Sequence, residues 1–102
     1  MKLTKEEAVA FHIEMWTDMK EPLGDDPRAD ARKAFKKKWC EEHFPGESIL
    51  SYCFLCEYAY QHSISCSRCL INWGDGDYCS GKNHYLYAPI SKILALPVRE
   101  DV

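Results

Sequence analysis

Two Cys-x-x-Cys pairs, Cys53/Cys56 and Cys66/Cys69, stand nine residues apart within "YCFLCEYAYQHSISCSRCL", the stretch from Tyr52 to Leu70 of a 102-residue chain. Thiols at this spacing ligate a metal, close disulfides or carry redox chemistry, and each outcome needs different surroundings. The opening segment "MKLTKEEAVAFHIEMW" places Glu6, Glu7 and Glu14 inside its first apolar stretch, where a secretory leader needs an unbroken apolar run. The expected location is the cytoplasm, and a reducing compartment disfavours disulfides. A thioredoxin-like centre needs one such motif at a strand-to-helix junction in an alternating β/α pattern, and two motifs without that alternation fit it poorly. What remains is one structural Zn²⁺ held by Cys53, Cys56, Cys66 and Cys69.

Cys79 complicates the ligand set. It follows Cys69 at the same interval that separates Cys56 from Cys66, so five thiols compete for four positions. The alternative set replaces a member of the second pair, most easily Cys66, by Cys79; otherwise Cys79 is a buried thiol, as free cysteine commonly is. Cys40, next to Trp39, is expected to be such a thiol. His62 and His84 are weaker ligand candidates, and His12, on an apolar helix face, is expected to be structural.

Nothing in the pattern calls for catalysis. A catalytic zinc keeps an open position, typically beside histidine or carboxylate ligands. "HIE" at His12–Glu14 matches part of a zinc deaminase signature, but the Pro-Cys-x-x-Cys that should follow is missing. Neither a Ser/His/Asp grouping nor a glycine-rich phosphate loop is present. The expected role of the metal is to hold the fold together.

Around the cysteines the periodicities are helical. Thr4 followed by Glu7 is a capping box that opens a helix at Lys5, and Ala8, Phe11, His12, Met15, Trp16 and Met19 recur on one face. Pro22 and Gly24 end it, and Asp26-Pro27 offers a cap and first-turn proline for a second helix over 27–42, with Ala31, Ala34, Phe35 and Trp39 on one side. Arg32, Lys33 and Lys36 to Lys38 read as a solvated basic face of that helix. Ser48 is placed to cap a third helix, on which Cys53 and Cys56 share a face. Turn formers dominate from Gly74 to Asn83, with short strands conceivable at 70–73 and 84–87. A short helix opens at Pro89, and the tail after Pro97 is expected to be loose. The predicted fold class is mainly α, α+β at most: one domain over 1–102, with a helical part (1–47), an irregular four-cysteine zinc module (48–88) and a C-terminal helix and tail (89–102), three to four helices in all. No run is long enough to span a membrane.

The formal net charge is −3, and four thiolates on one Zn²⁺ make the loaded form more acidic still. Nucleic-acid-binding domains are usually basic, so direct DNA or RNA binding is disfavoured and a protein partner with a basic surface is expected. The acids Glu41, Glu42 and Glu57, with Tyr58 facing outward on the third helix, are the candidate partner contacts, since tyrosine ringed by charge anchors interfaces.

The opening "MKLTKEEAVAFHIEMW", the block "CFLCEYAYQHSISCSRCLINWG", the later Cys79 and the closing "ILALP" resemble a group of short phage and prophage proteins of Gram-positive bacteria. Those proteins share a Thr-Lys-Glu-Glu-Ala opening helix ending in Met-Trp, two Cys-x-x-Cys pairs with Glu-Tyr after the first, a Trp-Gly and a later cysteine. The resemblance spans nearly the whole chain; Leu70 stands where that group often has proline. The sequence is also similar to zinc-containing anti-CRISPR proteins that act against type II-A Cas9. That resemblance implies a phage protein in the bacterial host cytoplasm that binds Cas9 and blocks DNA loading or cleavage stoichiometrically. The alternative is a small zinc-finger nucleic-acid-binding phage accessory protein.

Overall fold

In a computed structural model, residues 2–65, 68–74, 79, 84–100 and 102 are described; Cys66, Tyr78 and much of the turn-rich stretch lie outside them. Four α-helices occur among the described residues: α1 (Lys5–Leu23), α2 (Ala29–His43), α3 (Phe54–Gln61) and α4 (Ile90–Ala95), with a 3₁₀ turn at Leu50–Tyr52. The mainly helical fold class is thus the one observed.

α1 begins as its sequence dictates. Thr4 Oγ1 accepts the Glu7 N–H at 3.1 Å, and the Glu7 carboxylate accepts the Thr4 N–H at 3.0 Å, which satisfies two of the free N–H groups of the first turn. The helix runs through Pro22 and ends at Gly24, whose φ of 82° lets its N–H turn back to the Lys20 carbonyl at 2.9 Å. Ala8, His12, Met15, Trp16 and Met19 form its buried face.

α2 departs from expectation at its start and on its inner face. The cap is Arg28, without a side-chain cap bond, and the helix begins at Ala29 rather than Pro27. Its buried residues are Arg32, Lys36, Trp39 and Cys40, while Ala34 is exposed. Arg32 and Lys36 are therefore inside the fold, and only Lys33, Lys37 and Lys38 make the solvated basic face. The physical reason is visible at Arg32. Its Nε donates to the Pro27 carbonyl at 2.9 Å, and Nη1 donates to the Tyr85 and Ala88 carbonyls at 3.0 and 2.6 Å. A planar guanidinium can satisfy several backbone carbonyls that no apolar side chain could.

α1, α2 and α3 pack around aromatic rings. Phe11, Phe44, Phe54 and Trp39 meet edge-on or tilted, with centroids 5.0 to 6.2 Å apart, the geometry that the ring quadrupole favours. α4 has only Pro89 as its cap residue, and Asp25 supplies what proline lacks: its carboxylate accepts the Ser91 N–H at 2.7 Å and the Ser91 hydroxyl at 2.9 Å.

The short strands reduce to one antiparallel bridge, Ile71 to Val98, flanked by Asn72 N–H to the Pro97 carbonyl and Arg99 N–H to the Leu70 carbonyl. Residues 84–87 form turns. The tail is accordingly not loose through Glu100. It pairs with the segment after Cys69, and Lys5 Nζ donates to the Arg99 carbonyl at 2.7 Å. No helix among the described residues is long and apolar enough to cross a membrane.

Candidate metal centre

The third helix starts later than its periodicity implies. Ser51 and Tyr52 take left-handed φ values of 54° and 51°, which interrupts the helix that Ser48 should have capped, and Cys53 becomes the cap residue of α3. Cys53 and Cys56 still meet, now because the cap residue and the third helical residue face one another. Burial pushes at both thiols, but the contact between them separates their tendencies. Cys53 is held toward thiolate, first by the Cys56 thiol and then by the Lys36 ammonium and the N–H groups of Cys56 and Leu55. Cys56 is held as a thiol, first by its contact with Cys53, then by burial and by the charges of Cys53, Cys79 and Cys69. One sulfur of the pair is thus prepared as a thiolate, the form that binds metal.

Cys79 enters the same space from the far segment. His12, Trp16, Lys36, Ser51, Cys53, Cys56, Trp73, Cys79 and Tyr85 line a cavity of about 110 Å³. Burial first, and then the charges of Cys79 and Cys53, push the Tyr85 phenol above its ordinary range. Cys69 lies close enough for its charge to act on Cys56, and its sulfur accepts the Trp73 indole N–H at 3.4 Å; burial pushes its thiol up. Cys66 lies outside the described residues. Cys40, Cys53, Cys56 and Cys69 are in no disulfide. Cys40 is buried away from the cavity lining, and burial raises its pKa to about 11.

Two neighbours of the thiols are unusual for a protein interior. Lys36 is only 5% exposed, and among the described residues no carboxylate pairs with it. Its Nζ sits 4.7 Å from the Tyr85 ring centroid, and the acidic groups it influences are Cys53 and Cys40. A buried ammonium needs a counter-charge, and a thiolate cluster is the available one. His12 is 2% exposed, and its Nε2 is buried with no hydrogen-bond partner. Burial first, and Lys36 second, lower its pKa to about 3, so the ring is neutral at physiological pH. Leaving such a nitrogen unpaired costs about 1–3 kcal/mol.

Soft thiols and a neutral imidazole are the donor types that Zn²⁺ takes, but no three of these described ligand atoms lie within 4.8 Å of one another. His62 and His84 are engaged elsewhere: His62 Nε2 lies 3.3 Å from the Leu3 carbonyl, and His84 Nδ1 accepts the Leu86 N–H at 3.1 Å. A second cluster, Glu14, Asp18 and His43, brings its ligand atoms within 4.8 Å of one another on the surface of α1 and α2. Two of these side chains also hold Trp39: Asp18 Oδ2 accepts its indole N–H, and His43 Nδ1 lies 2.9 Å from its carbonyl.

The candidate partner contacts divide. Glu41 and Glu42 are exposed. Glu57 is half-buried, its oxygens accepting the Leu50 N–H and the Gln61 amide at 2.9 Å each. Tyr58 does not face outward; it packs half-buried on the core and against His62, with ring centroids 4.2 Å apart. The buried face of α3 is Phe54, Leu55 and Ala59, and Tyr58 borders it. Among the described residues the exposed tyrosines are Tyr52, Tyr60 and Tyr87, and Tyr52 shares an open groove with Glu41 and Leu50.

No protein-family model, no curated protein and no solved structure matches the chain.

Proposed function

We propose that this protein is a zinc-stabilised, non-catalytic inhibitor that acts by binding another protein, and that its partner is Cas9. The observation that carries the metal is the convergence of Cys53, Cys56 and Cys79 on one cavity beside the buried Lys36 ammonium. Bound there, zinc would supply no reaction chemistry; it would tie the start of α3 to Cys79. The Cys53/Cys56 pair anchors it, and Cys79 joins from the far side, as in the alternative ligand set in which Cys79 displaces Cys66.

The partner reading rests on the resemblance to zinc-containing anti-CRISPR proteins and on an acidic chain. Glu41 and Glu42, with the exposed Leu50 and Tyr52 beside Glu41, form a surface with apolar anchors next to acids. Such a surface suits a basic nucleic-acid channel or a neighbouring domain. The test is a pull-down against type II-A Cas9 with and without guide RNA, paired with a DNA cleavage assay. Near one-to-one capture and suppressed cleavage support the proposal; no association under either condition refutes it.

One observation favours the nucleic-acid reading instead. Lys33, Lys37, Tyr52 and Tyr85 line a single cleft of about 360 Å³, and cations interleaved with aromatic rings suit a nucleic-acid strand. Binding to single-stranded DNA or RNA that falls steeply with salt, without Cas9 association, selects that reading.

A further inference from the structure

We propose a separate cation site on the surface of α1 and α2, where Glu14, Asp18 and His43 hold an exchangeable divalent transition-metal ion such as Zn²⁺. The site shares no residue with the thiol cavity and stands whether or not that cavity holds a metal.

The helices bring the three donors together. Glu14 and Asp18 are four residues apart on α1 and so share a face, and His43 is the last residue of α2. One ligand atom from each lies within 4.8 Å of the other two. Donors held by one ion at about 2.0–2.2 Å stand about 3–4 Å apart, and the exposed Glu14 side chain has the freedom to close the remaining gap.

Trp39 orients the other two donors. Its backbone carbonyl lies 2.9 Å from His43 Nδ1, which places the ring proton on Nδ1 and leaves the lone pair on Nε2. Its indole stacks on the imidazole at 3.8 Å between centroids and 17° between planes, and its Nε1 donates to Asp18 Oδ2 at 2.8 Å. Trp39 itself is 3% exposed, so a core residue fixes both side chains. A carbonyl on the second ring nitrogen and a hydrogen bond to the carboxylate are the supports that metal-ligating histidines and carboxylates receive.

Charge is the independent ground. Like charges four residues apart on a helix repel, and among the described residues no Lys or Arg pairs with Glu14 or Asp18. A divalent ion beside a neutral imidazole cancels both carboxylates. Imidazole favours a transition metal over Mg²⁺ or Ca²⁺, and carboxylate oxygen is also a zinc ligand. Three protein donors leave one position of a tetrahedral ion open to water or to a donor from a partner. Glu14 and His43 are exposed, so this ion exchanges where a closed thiol centre would retain its own.

The experiment is long-range ¹H–¹⁵N NMR of the histidine rings in the reduced, full-length protein, titrated with Zn²⁺ beyond one equivalent. The expected result is a saturable shift of His43 Nε2, with the ring proton staying on Nδ1. Glu14→Gln and Asp18→Asn should each weaken that binding at least about tenfold, whereas Glu6→Gln, an exposed acid at the start of α1, should leave it unaltered. No saturable response at His43, or an unchanged affinity in Glu14→Gln, overturns the site. Equal affinity for Mg²⁺ overturns its assignment to a transition metal. Should Asp18→Asn disturb the fold by releasing Trp39, Glu14→Gln decides the matter without it. Because His43 is no part of the thiol cavity, a His43 response in a protein whose cysteines hold no zinc overturns the thiol reading alone.

Discussion

Arg32 is the residue whose replacement tests the packing logic most directly. It is 1% exposed and ties three separate carbonyls together: Pro27 before α2, and Tyr85 and Ala88 before α4. Arg32→Met keeps most of the stem volume and removes every donor. Three carbonyls then lose a charged partner. Each orphaned group costs about 1–3 kcal/mol, while relief from burying the guanidinium returns part of that sum. The expected net loss is about 3 kcal/mol, a large share of the roughly 5–15 kcal/mol that holds a domain together. Arg32→Lys should lose about 2 kcal/mol, because an ammonium cannot reproduce the fork geometry.

The assay is equilibrium urea unfolding of the zinc-loaded protein, followed by tryptophan fluorescence. With an m-value on the order of 1–3 kcal/mol/M, Arg32→Met should lower the midpoint by about 1–3 M. Arg28→Ala is the control. Its 3.6 Å pair with Asp30 is almost fully exposed, and such pairs contribute about 0–1 kcal/mol. A loss below about 1 kcal/mol for Arg32→Met would refute the reasoning, because the three carbonyls would then have other means of satisfaction.

Thr4→Ala removes one half of the capping box and should cost about 1 kcal/mol in the same assay; no change would mean that α1 is held by packing alone. Cys56→Ser should abolish zinc retention and Cys40→Ser should not, by elemental analysis after gel filtration; metal loss in Cys40→Ser would place α2 in the cluster. Chelation should lower stability strongly, since structural zinc contributes on the order of 10–16 kcal/mol of apparent binding in finger peptides, and an unchanged urea midpoint after chelation would remove the metal from the fold. His12, ordinarily near pH 6.5 and here lowered to about 3, stays neutral in the fold while the unfolded chain takes up its proton first. Its contribution is therefore full above about pH 6.5 and is lost as pH falls toward 3; thiolate protonation acts in the same direction, and a flat midpoint between pH 7.5 and pH 5 would contradict both.

The sequence was most legible where a local rule decides the outcome. The Thr4/Glu7 box, the apolar face of α1 and the approach of Cys53 to Cys56 are all set by residues within one helical turn of each other. It was least legible where distant backbone decides. Arg32 and Lys36 scored as surface cations because hydropathy counts the charged head, yet the carbonyls near α4 and the thiols reward burying them. His12 gave only a helical face, as the thiols that share its cavity, Cys53, Cys56 and Cys79, lie more than forty residues away. The start of α3 was misplaced because Cys53 is an unusual cap residue.

Lys36 joins these observations. Lys36 is 5% exposed and has no carboxylate partner among the described residues, so a metal-free fold offers its ammonium little counter-charge. Beside thiolates on zinc it becomes the counter-ion that the negative centre needs, and the indole N–H of Trp73 on Cys69 adds a polar donor to the same region. On the zinc reading proposed above, the basic residue that the sequence placed on a solvated face would be the counter-ion of the centre. Lys36→Met separates the two states: it should weaken zinc retention, where the cation supports the anionic centre, and stabilise the metal-free protein, where it has no counter-charge. Equal effects on both states would mean that Lys36 answers to its tyrosine neighbour rather than to the metal.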